Sequence, residues 1–120
     1  MPKYTKSHEW IEWNGDVGTV GISQHAQKEL GDIVYVELPQ VGKSVITGEE
    51  VAVLESTKAA VDVYTPVSGS IIEVNTALNT HAELVNKSPE KDGWIFKLKL
   101  SDPQQLDQLM DAQAYAALLH

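Results

Sequence analysis

One lysine is notable for its position along the chain. Lys58 lies in the segment ESTKA at 55–59, between apolar stretches at 51–55 and 61–64 that have the composition of β-strands. The small residues around it can neither bury its amine nor pair with it, so we expect the amine to point into water. Such a hairpin, about residues 51–64, suits an amine that carries an attached group. A simple solubilising charge accounts for the same residues.

The remaining residue types limit the chemistry that the chain itself can perform. Cysteine is absent from the sequence, which excludes disulfides, thiolate metal sites and cysteine nucleophiles, so any sulfur chemistry requires an added group. His8, His25 and His81 lack the spacings typical of zinc ligands, and no nucleophile or phosphate-binding motif accompanies them. We therefore expect structural or surface roles for these histidines, and a chain that is not an enzyme.

The charge composition indicates which partners to expect. Seventeen acidic residues against nine basic ones give a net charge of -8, and all nine basic residues are lysines. This balance argues against nucleic acid as a partner and favours larger proteins with basic surfaces. The first twelve residues lack the features of a signal or transit peptide, and no stretch of sequence has the apolar length of a membrane span. We expect a soluble, cytoplasmic, bacterial-type protein of one domain, 1–120.

Short strands separated by turns predict the fold. Asn14-Gly15 between two apolar runs predicts a two-residue hairpin loop with positive φ at both positions. Ser23 and Gly31 are suited to begin and end a short helix, and the stretch 94–100 alternates apolar and charged residues as a half-exposed strand does. Because crossover helices between the strands are missing from the pattern, we expect a mainly β sandwich or flattened barrel.

Two further helices are predicted in the last third of the sequence. Thr80 and Glu83 have the spacing of a capping box, which predicts a single helical turn through 84–86. Asp102-Pro103 is a typical helix start, and apolar residues recur on one face as far as Leu118. We expect a continuous C-terminal helix over about 103–118.

Several short motifs occur in an order that is more specific than any one of them. They are SHEW at 7–10, VGI at 20–22, HAQ at 25–27, LGDIVYVELP at 30–39, ESTKA at 55–59, PVSG at 66–69, EVN at 73–75, LVN at 84–86 and DGW at 92–94. In this order and spacing they resemble the glycine cleavage system H proteins, and the resemblance covers nearly the whole chain. The segment around Lys58 is similar to the lipoylation motif of that family.

This resemblance implies a carrier. The implied fold is lipoyl-domain-like: a flattened barrel or sandwich of two antiparallel sheets, with short helices and a C-terminal helix. The implied cofactor is a lipoyl group joined by an amide to Lys58. It would carry an aminomethyl group from glycine decarboxylase (P-protein) to a tetrahydrofolate-dependent aminomethyltransferase (T-protein), and then electrons to dihydrolipoamide dehydrogenase (L-protein). A lipoate ligase, or an octanoyl transferase with a lipoyl synthase, would install the group, and the carrier would supply no catalytic residue.

Other site residues follow from the same resemblance. Ser7, Glu9 and Asp62 match positions that line a cleft in which the loaded arm is sheltered, and carboxylates suit the cationic amine of its cargo. His8 is a further candidate for the wall of this cleft. Glu55 resembles the acidic position that lipoate-attaching enzymes read. Taken alone, Glu9 and Asp62 could equally be solvated strand residues, and Glu55 a charge at a strand end.

The sequence departs from the family pattern at two positions of one segment. Ala82 stands where proline is usual, and Glu90 stands where an aromatic residue commonly follows Pro89. These departures concern local geometry or a partner contact and do not touch the lysine hairpin.

Other carriers match less well. The lipoyl domain of a 2-oxo acid dehydrogenase usually has aspartate just before the lysine, where this chain has Thr57, and a biotin carrier has methionines on both sides. Both lack counterparts of the 7–10 signature and of the C-terminal helix. A lipoyl or octanoyl relay in lipoate biosynthesis remains an alternative, as does a purely structural domain if Lys58 is never modified.

Overall fold

The computed structural model describes residues 2–119 and consists mainly of two antiparallel sheets. The strands are Lys3–Tyr4 (β1), Glu9–Asn14 (β2), Val17–Ile22 (β3), Ile33–Glu37 (β4), Ser44–Val45 (β5), Glu50–Ser56 (β6), Ala60–Tyr64 (β7), Gly69–Val74 (β8) and Phe96–Leu100 (β9). The larger sheet has the order β1-β2-β3-β9-β8-β5, and the smaller one has the order β4-β6-β7. The mainly β architecture expected from the sequence is confirmed.

One apolar core joins the two sheets. Inward side chains of the large sheet, such as Ile11 and Phe96, and of the small sheet, such as Leu54, belong to the same buried cluster. Along β9 the alternation predicted from the sequence is observed, because Phe96 and Leu98 are fully buried while Lys99 is exposed. Each large aliphatic or aromatic side chain buried in this way contributes about 1.5–3 kcal/mol to folding. The core therefore fixes which face of each strand turns outward.

The first hairpin has its loop one residue later than predicted. Asn14 pairs with Val17, so the two loop residues are Gly15 and Asp16. Gly15 has a φ of 63°, whereas Asn14 and Asp16 are not among the residues with positive φ. The prediction of positive φ at both positions of Asn14-Gly15 is therefore wrong. The strand pairing lets Asn14 stay in the ladder and leaves the left-handed conformation to the glycine alone.

The first helix, α1, covers Gln24–Leu30 and has the ends that the sequence predicts. The Ser23 hydroxyl accepts a hydrogen bond from the amide of Ala26 at 3.1 Å. Gly31 ends the helix with a φ of 79° and donates its amide to the carbonyl of Gln27. Both ends are fixed by local chemistry, as is usual for capped helices.

The helical turn predicted through 84–86 is observed, but the capping box predicted for it at Thr80 is wrong. The second helix, α2, covers Glu83–Lys87, and its N-cap is Ala82, which offers no side-chain hydrogen bond. Thr80 instead follows a 3-10 helix at Thr76–Asn79 and donates its hydroxyl back to the carbonyl of Ala77 at 3.4 Å. Burial of Leu78 in the core holds this earlier turn, so Thr80 ends one element rather than beginning the next.

The C-terminal segment is divided into two helices. A 3-10 helix at Pro103–Gln108 begins at Asp102, whose carboxylate accepts the amide of Gln104, and α3 covers Ala112–Leu118. Between them Met110 exchanges two backbone hydrogen bonds with Tyr4, at 2.7 and 3.0 Å. A continuous helix over 103–118 is therefore wrong, because that pairing requires an extended backbone.

The buried face of α3 also differs from the predicted one. Tyr115 is 5% exposed and is the buried residue of this helix, whereas Leu118 is 49% exposed. The interruption at Met110 changes the helical phase, so the apolar stripe does not continue from one helix into the next. Among residues 2–119, no helix combines the length and the apolar character needed to cross a bilayer.

Candidate functional site

Lys58 lies at the tip of the β6–β7 hairpin, in a loop of three residues, 57–59. Ser56 organises this loop: its hydroxyl oxygen accepts the amides of Lys58 and Ala59, each at 3.1 Å, and its own amide donates to the carbonyl of Ala59 at 2.8 Å. The amide of Thr57 donates to the carbonyl of Asp32 at 3.1 Å. The backbone on which Lys58 is presented is therefore held from both sides.

The Lys58 side chain is exposed and lies beside the end of α1. A Cβ atom placed on Gly31 would lie 3.5 Å from Cε and 3.9 Å from Nζ of Lys58. The salt bridges found among residues 2–119 involve other side chains. The amine is thus presented to solvent on a fixed backbone, which is the arrangement that a covalent tether requires.

A cavity of about 170 Å³ lies between β2, α1 and the lysine hairpin. Its apolar wall consists of Ile22, Ala26, Leu30, Leu54, Val61 and Val63. Its polar wall consists of Ser7, His8, Glu9, Glu29 and Asp62. Ser7, Glu9 and Asp62, which the sequence predicts as cleft residues, thus border one space, and their role there stays a prediction.

Glu9 is the most deeply buried polar residue that lines this cavity. It is only 2% exposed. One carboxylate oxygen, Oε1, accepts the hydroxyls of Thr5 and Ser7, each at 2.6 Å, and Oε2 accepts the amide of Tyr64 at 3.3 Å. A carboxylate can accept about four hydrogen bonds, so Oε2 has capacity for one more. The alternative that Glu9 is a solvated strand charge is wrong.

Asp62 lies at the rim of the cavity rather than deep in it. The residue is exposed on β7, an edge strand of the small sheet, where it pairs with Val53 of β6. It also borders a second, shallower groove that Glu37 and Val53 line on the outer face of that sheet. Asp62 is therefore an outward strand residue that also reaches the cavity.

His8 has an uncommon backbone conformation that the sequence did not predict. Its φ is 75°, the one positive value among the non-glycine residues 2–119. The left-handed region costs a residue with a Cβ roughly 1–2 kcal/mol, so neighbouring contacts must hold it. The carbonyl of His8 accepts the amide of Ser23 at 2.9 Å, and its Nδ1 lies 2.6 Å from the hydroxyl of Tyr115.

Tyr115 connects α3 to the cavity wall. Its hydroxyl also lies 2.7 Å from the hydroxyl of Ser23, so one oxygen joins His8 to the start of α1. The ring of Tyr115 stacks on Tyr4 with centroids 4.4 Å apart, and burial raises the pKa of both phenols. His25 lies 4.9 Å from the His8 ring. Sequence patterns gave no signal for this cluster, because its members are far apart in the chain.

Comparison with known proteins identifies the group to which this chain belongs. A sequence model of the family described as "Glycine cleavage H-protein" matches residues 2–120. The chain belongs to the glycine cleavage H-protein family. As a member of this family it is the lipoyl-carrying shuttle of the glycine cleavage system, and it is a carrier rather than a catalyst.

Individual relatives resemble the chain over almost their full length. The glycine cleavage system H protein of Thermotoga maritima is 57% identical over 115 residues, which are 96% of this chain and 93% of the relative. The H protein of Escherichia coli O7:K1 is 56% identical over 118 residues, which are 98% and 92% of the two chains. A crystal structure of the H protein from Mycobacterium marinum superposes with a TM-score of 0.89 at 35% identity, covering 98% of this chain and 95% of the other.

The structure explains one of the two departures from the H-protein pattern. The carboxylate of Glu90 accepts the hydroxyl of Tyr4 at 2.7 Å and the amide of Gln24 at 2.9 Å. Glu90 therefore joins β1 to the first turn of α1, where a negative charge is favourable. Ala82 has a φ of -59°, a value that proline also adopts, so the backbone there keeps the geometry of the usual residue.

Proposed function

We propose that Lys58 carries the lipoyl group as an amide on Nζ, and that residues 1–120 act as a single lipoyl-carrier domain. The observation that carries this proposal is an exposed lysine without an ion-pair partner among residues 2–119, held at a hydrogen-bonded hairpin tip beside a partly apolar cavity. When bound, lipoate supplies the sulfur chemistry that the chain lacks: a dithiolane that accepts the aminomethyl group and is then reoxidised. Membership of the H-protein family supports lipoate over biotin.

The residues around Lys58 fit such a group. Leu30 immediately precedes Gly31, over which the lysine stem lies, and Leu30 and Val61 both line the cavity. Val61 is three residues beyond Lys58, or roughly 10 Å along a strand, so a long flexible arm on Nζ can reach the cavity. The aliphatic wall suits a hydrocarbon chain and ring. The polar end suits a cationic amine.

Ser7, Glu9 and Asp62 form the polar end of the proposed arm site. Oε2 of Glu9 has one free acceptor position, and the Ser7 hydroxyl holds Oε1 in place. A carboxylate close to an amine favours its protonated form, and a protonated nitrogen has no lone pair with which to expel the neighbouring sulfur. In this proposal Glu9 retains the cargo chiefly by keeping the cargo amine protonated, while Asp62 adds negative charge at the rim.

The proposed partners are those that must handle the arm in turn. We expect glycine decarboxylase, aminomethyltransferase and dihydrolipoamide dehydrogenase to act on its far end, and a lipoate ligase to act on Lys58 itself. Glu55, exposed on β6 three residues before Lys58, is proposed as part of what the ligase reads. The net charge of -8 favours association with basic surfaces on these enzymes.

Intact-mass spectrometry tests the attachment directly. Protein incubated with lipoic acid, ATP and a purified lipoate ligase should gain one lipoyl increment, which peptide sequencing should locate at Lys58. A Lys58→Arg variant keeps the charge but not the nucleophilic amine, so it should gain nothing, whereas Lys43→Arg should be modified as fully as the wild type. Full modification of the Lys58→Arg protein would refute the proposal.

A further inference from the structure

A β-bulge turns two apolar side chains outward next to the lysine hairpin. Ile33 pairs with Ser56 and Tyr35 pairs with Glu55, so β4 has one residue more than β6 between these pairs. The extra residue, Val34, interrupts the alternation of buried and exposed positions. As a result Val34 is 59% exposed and the next residue, Tyr35, is 50% exposed. We call Val34, Tyr35 and Glu55 the bulge surface.

The bulge surface lies within one strand's width of the segment that presents Lys58. Tyr35 is directly opposite Glu55, and paired strands are about 4.8 Å apart. The connection between α1 and β4 also contacts the hairpin tip, because Asp32 accepts the amide of Thr57 and the Lys58 stem lies beside Gly31. Any protein that encloses the Lys58 amine must therefore also cover this surface or lie immediately beside it.

The charged residues on the strands of the small sheet are all acidic. Strands β4, β6 and β7 contain no lysine. Glu37, Glu55 and Asp62 are exposed on them, and Asp32 is exposed just before β4. Lys58 is the cation at the tip of this sheet, and acylation removes its charge. A complementary partner would present an apolar pocket for the aromatic side chain and a basic rim around it.

We propose that the bulge surface is the docking site of the enzyme that acylates Lys58, an inference that rests on the proposed function. This enzyme must bring an activated acyl carbon to Nζ, so it has to close around the hairpin, whereas enzymes that act on the far end of the arm need not. In the reaction, Nζ loses a proton to solvent and bonds to the carbonyl carbon of an acyl adenylate. The bond from that carbon to the phosphate oxygen breaks, and AMP leaves.

Substitutions in the bulge surface should lower the affinity of the protein for the acylating enzyme. Unmodified protein with Val34→Ser and Tyr35→Ser together should show a KM with lipoate ligase, lipoic acid and ATP that is raised about tenfold or more, because an aromatic anchor is typically a major contributor at an interface. A Glu37→Lys variant tests the electrostatic part and should raise KM most at low salt. Urea unfolding of each variant checks that the fold is retained.

Two controls separate this docking site from a general surface effect. Ile72→Ser removes an aliphatic side chain of 44% exposure from β8 in the other sheet, and its KM should equal that of the wild type. Once loaded, the Val34→Ser/Tyr35→Ser protein should be a normal substrate for dihydrolipoamide dehydrogenase, which acts on the dithiolane.

Three results would overturn the inference. They are an unchanged ligase KM for the double variant, an equal rise for Ile72→Ser, and an equal rise with the dehydrogenase. If the wild type itself took no lipoyl group, the proposed function would fail together with the docking site. If the wild type is acylated at Lys58 and the double variant has the same ligase KM, the docking site is refuted and the proposed function stands.

Discussion

Replacing Tyr115 by phenylalanine removes one hydroxyl group and keeps the ring that stacks on Tyr4. The lost oxygen lies 2.6 Å from Nδ1 of His8 and 2.7 Å from the hydroxyl of Ser23. Ser23 is fully buried, so its hydroxyl loses a partner that water cannot easily replace, which costs about 1–3 kcal/mol. His8 is half-buried and can bond to water, so its share is roughly 0.5–1.5 kcal/mol.

We therefore expect the Tyr115→Phe variant to lose about 3 kcal/mol in free energy of unfolding, which for a chain of this size is a fall in Tm of roughly 12 °C. Urea unfolding monitored by tryptophan fluorescence measures the loss. Hydrogen exchange adds a local readout, because the Ser23 amide donates to the carbonyl of His8 and should exchange faster once the His8 loop is freed.

Tyr64→Phe provides the matched control, since no hydrogen bond to the Tyr64 hydroxyl is found among residues 2–119, and it should change stability by less than about 0.5 kcal/mol. A Tyr115→Phe protein as stable as this control, with unchanged exchange at Ser23, would show that the hydroxyl does not hold His8 in its left-handed conformation.

Two other predictions concern the arm site and the alkaline limit of stability. In Glu9→Gln the hydrogen-bond acceptor at Oε1 is kept but the charge is lost, so a loaded arm should release its cargo about tenfold faster, as expected for loss of one charge-assisted hydrogen bond. Stopped-flow measurement of formaldehyde release tests this, with Glu12→Gln on the same strand as control; equal rates for both variants would remove Glu9 from the site. Burial, and secondarily the hydrogen bond to Glu90, raises the pKa of Tyr4 above its usual value of 10.0. Above about pH 10 the unfolded chain loses this proton while the folded chain keeps it, so stability should fall as pH rises through that range. Urea midpoints at successive pH values should fall less steeply in Tyr4→Phe, and identical slopes would contradict the assignment.

Elements set by local chemistry could be predicted from the sequence. The caps of α1 depend on Ser23 and Gly31, which lie at its own ends, and the alternation along β9 follows from a strand with one face in the core. The loop that presents Lys58 also depends on near neighbours, mainly the hydroxyl of Ser56. In each case the determining residues lie within a few positions of the element.

Elements set by distant contacts could not be predicted in this way. The helix expected over 103–118 is divided because Met110 pairs with Tyr4, and nothing in the periodicity of that segment records this partner. Thr80 has the residue type of a cap, but burial of Leu78 assigns it to the preceding turn. The bulge at Val34 depends on its register against β6.

The cavity contains features that could be predicted from the sequence and features that could not. Resemblance to a family indicated Ser7, Glu9 and Asp62, which the structure places around one space. It did not indicate that Glu9 is buried and that its carboxylate accepts three hydrogen bonds, or that Asp62 lies at the rim. Tyr115 was missed altogether, because its importance depends on the φ of a residue more than a hundred positions earlier.

The pairing of Tyr4 with Met110 has a consequence for folding during synthesis. The two residues are 106 positions apart (110 minus 4), so β1 cannot complete its contacts until almost the whole chain has left the ribosome. At a synthesis rate of about 5–20 residues per second, roughly 5–20 seconds pass between the synthesis of Tyr4 and Trp10 and that of the C-terminal segment that covers them. During that interval the nascent chain exposes aromatic side chains that the finished protein buries, which makes this end of the molecule the part that a chaperone would protect.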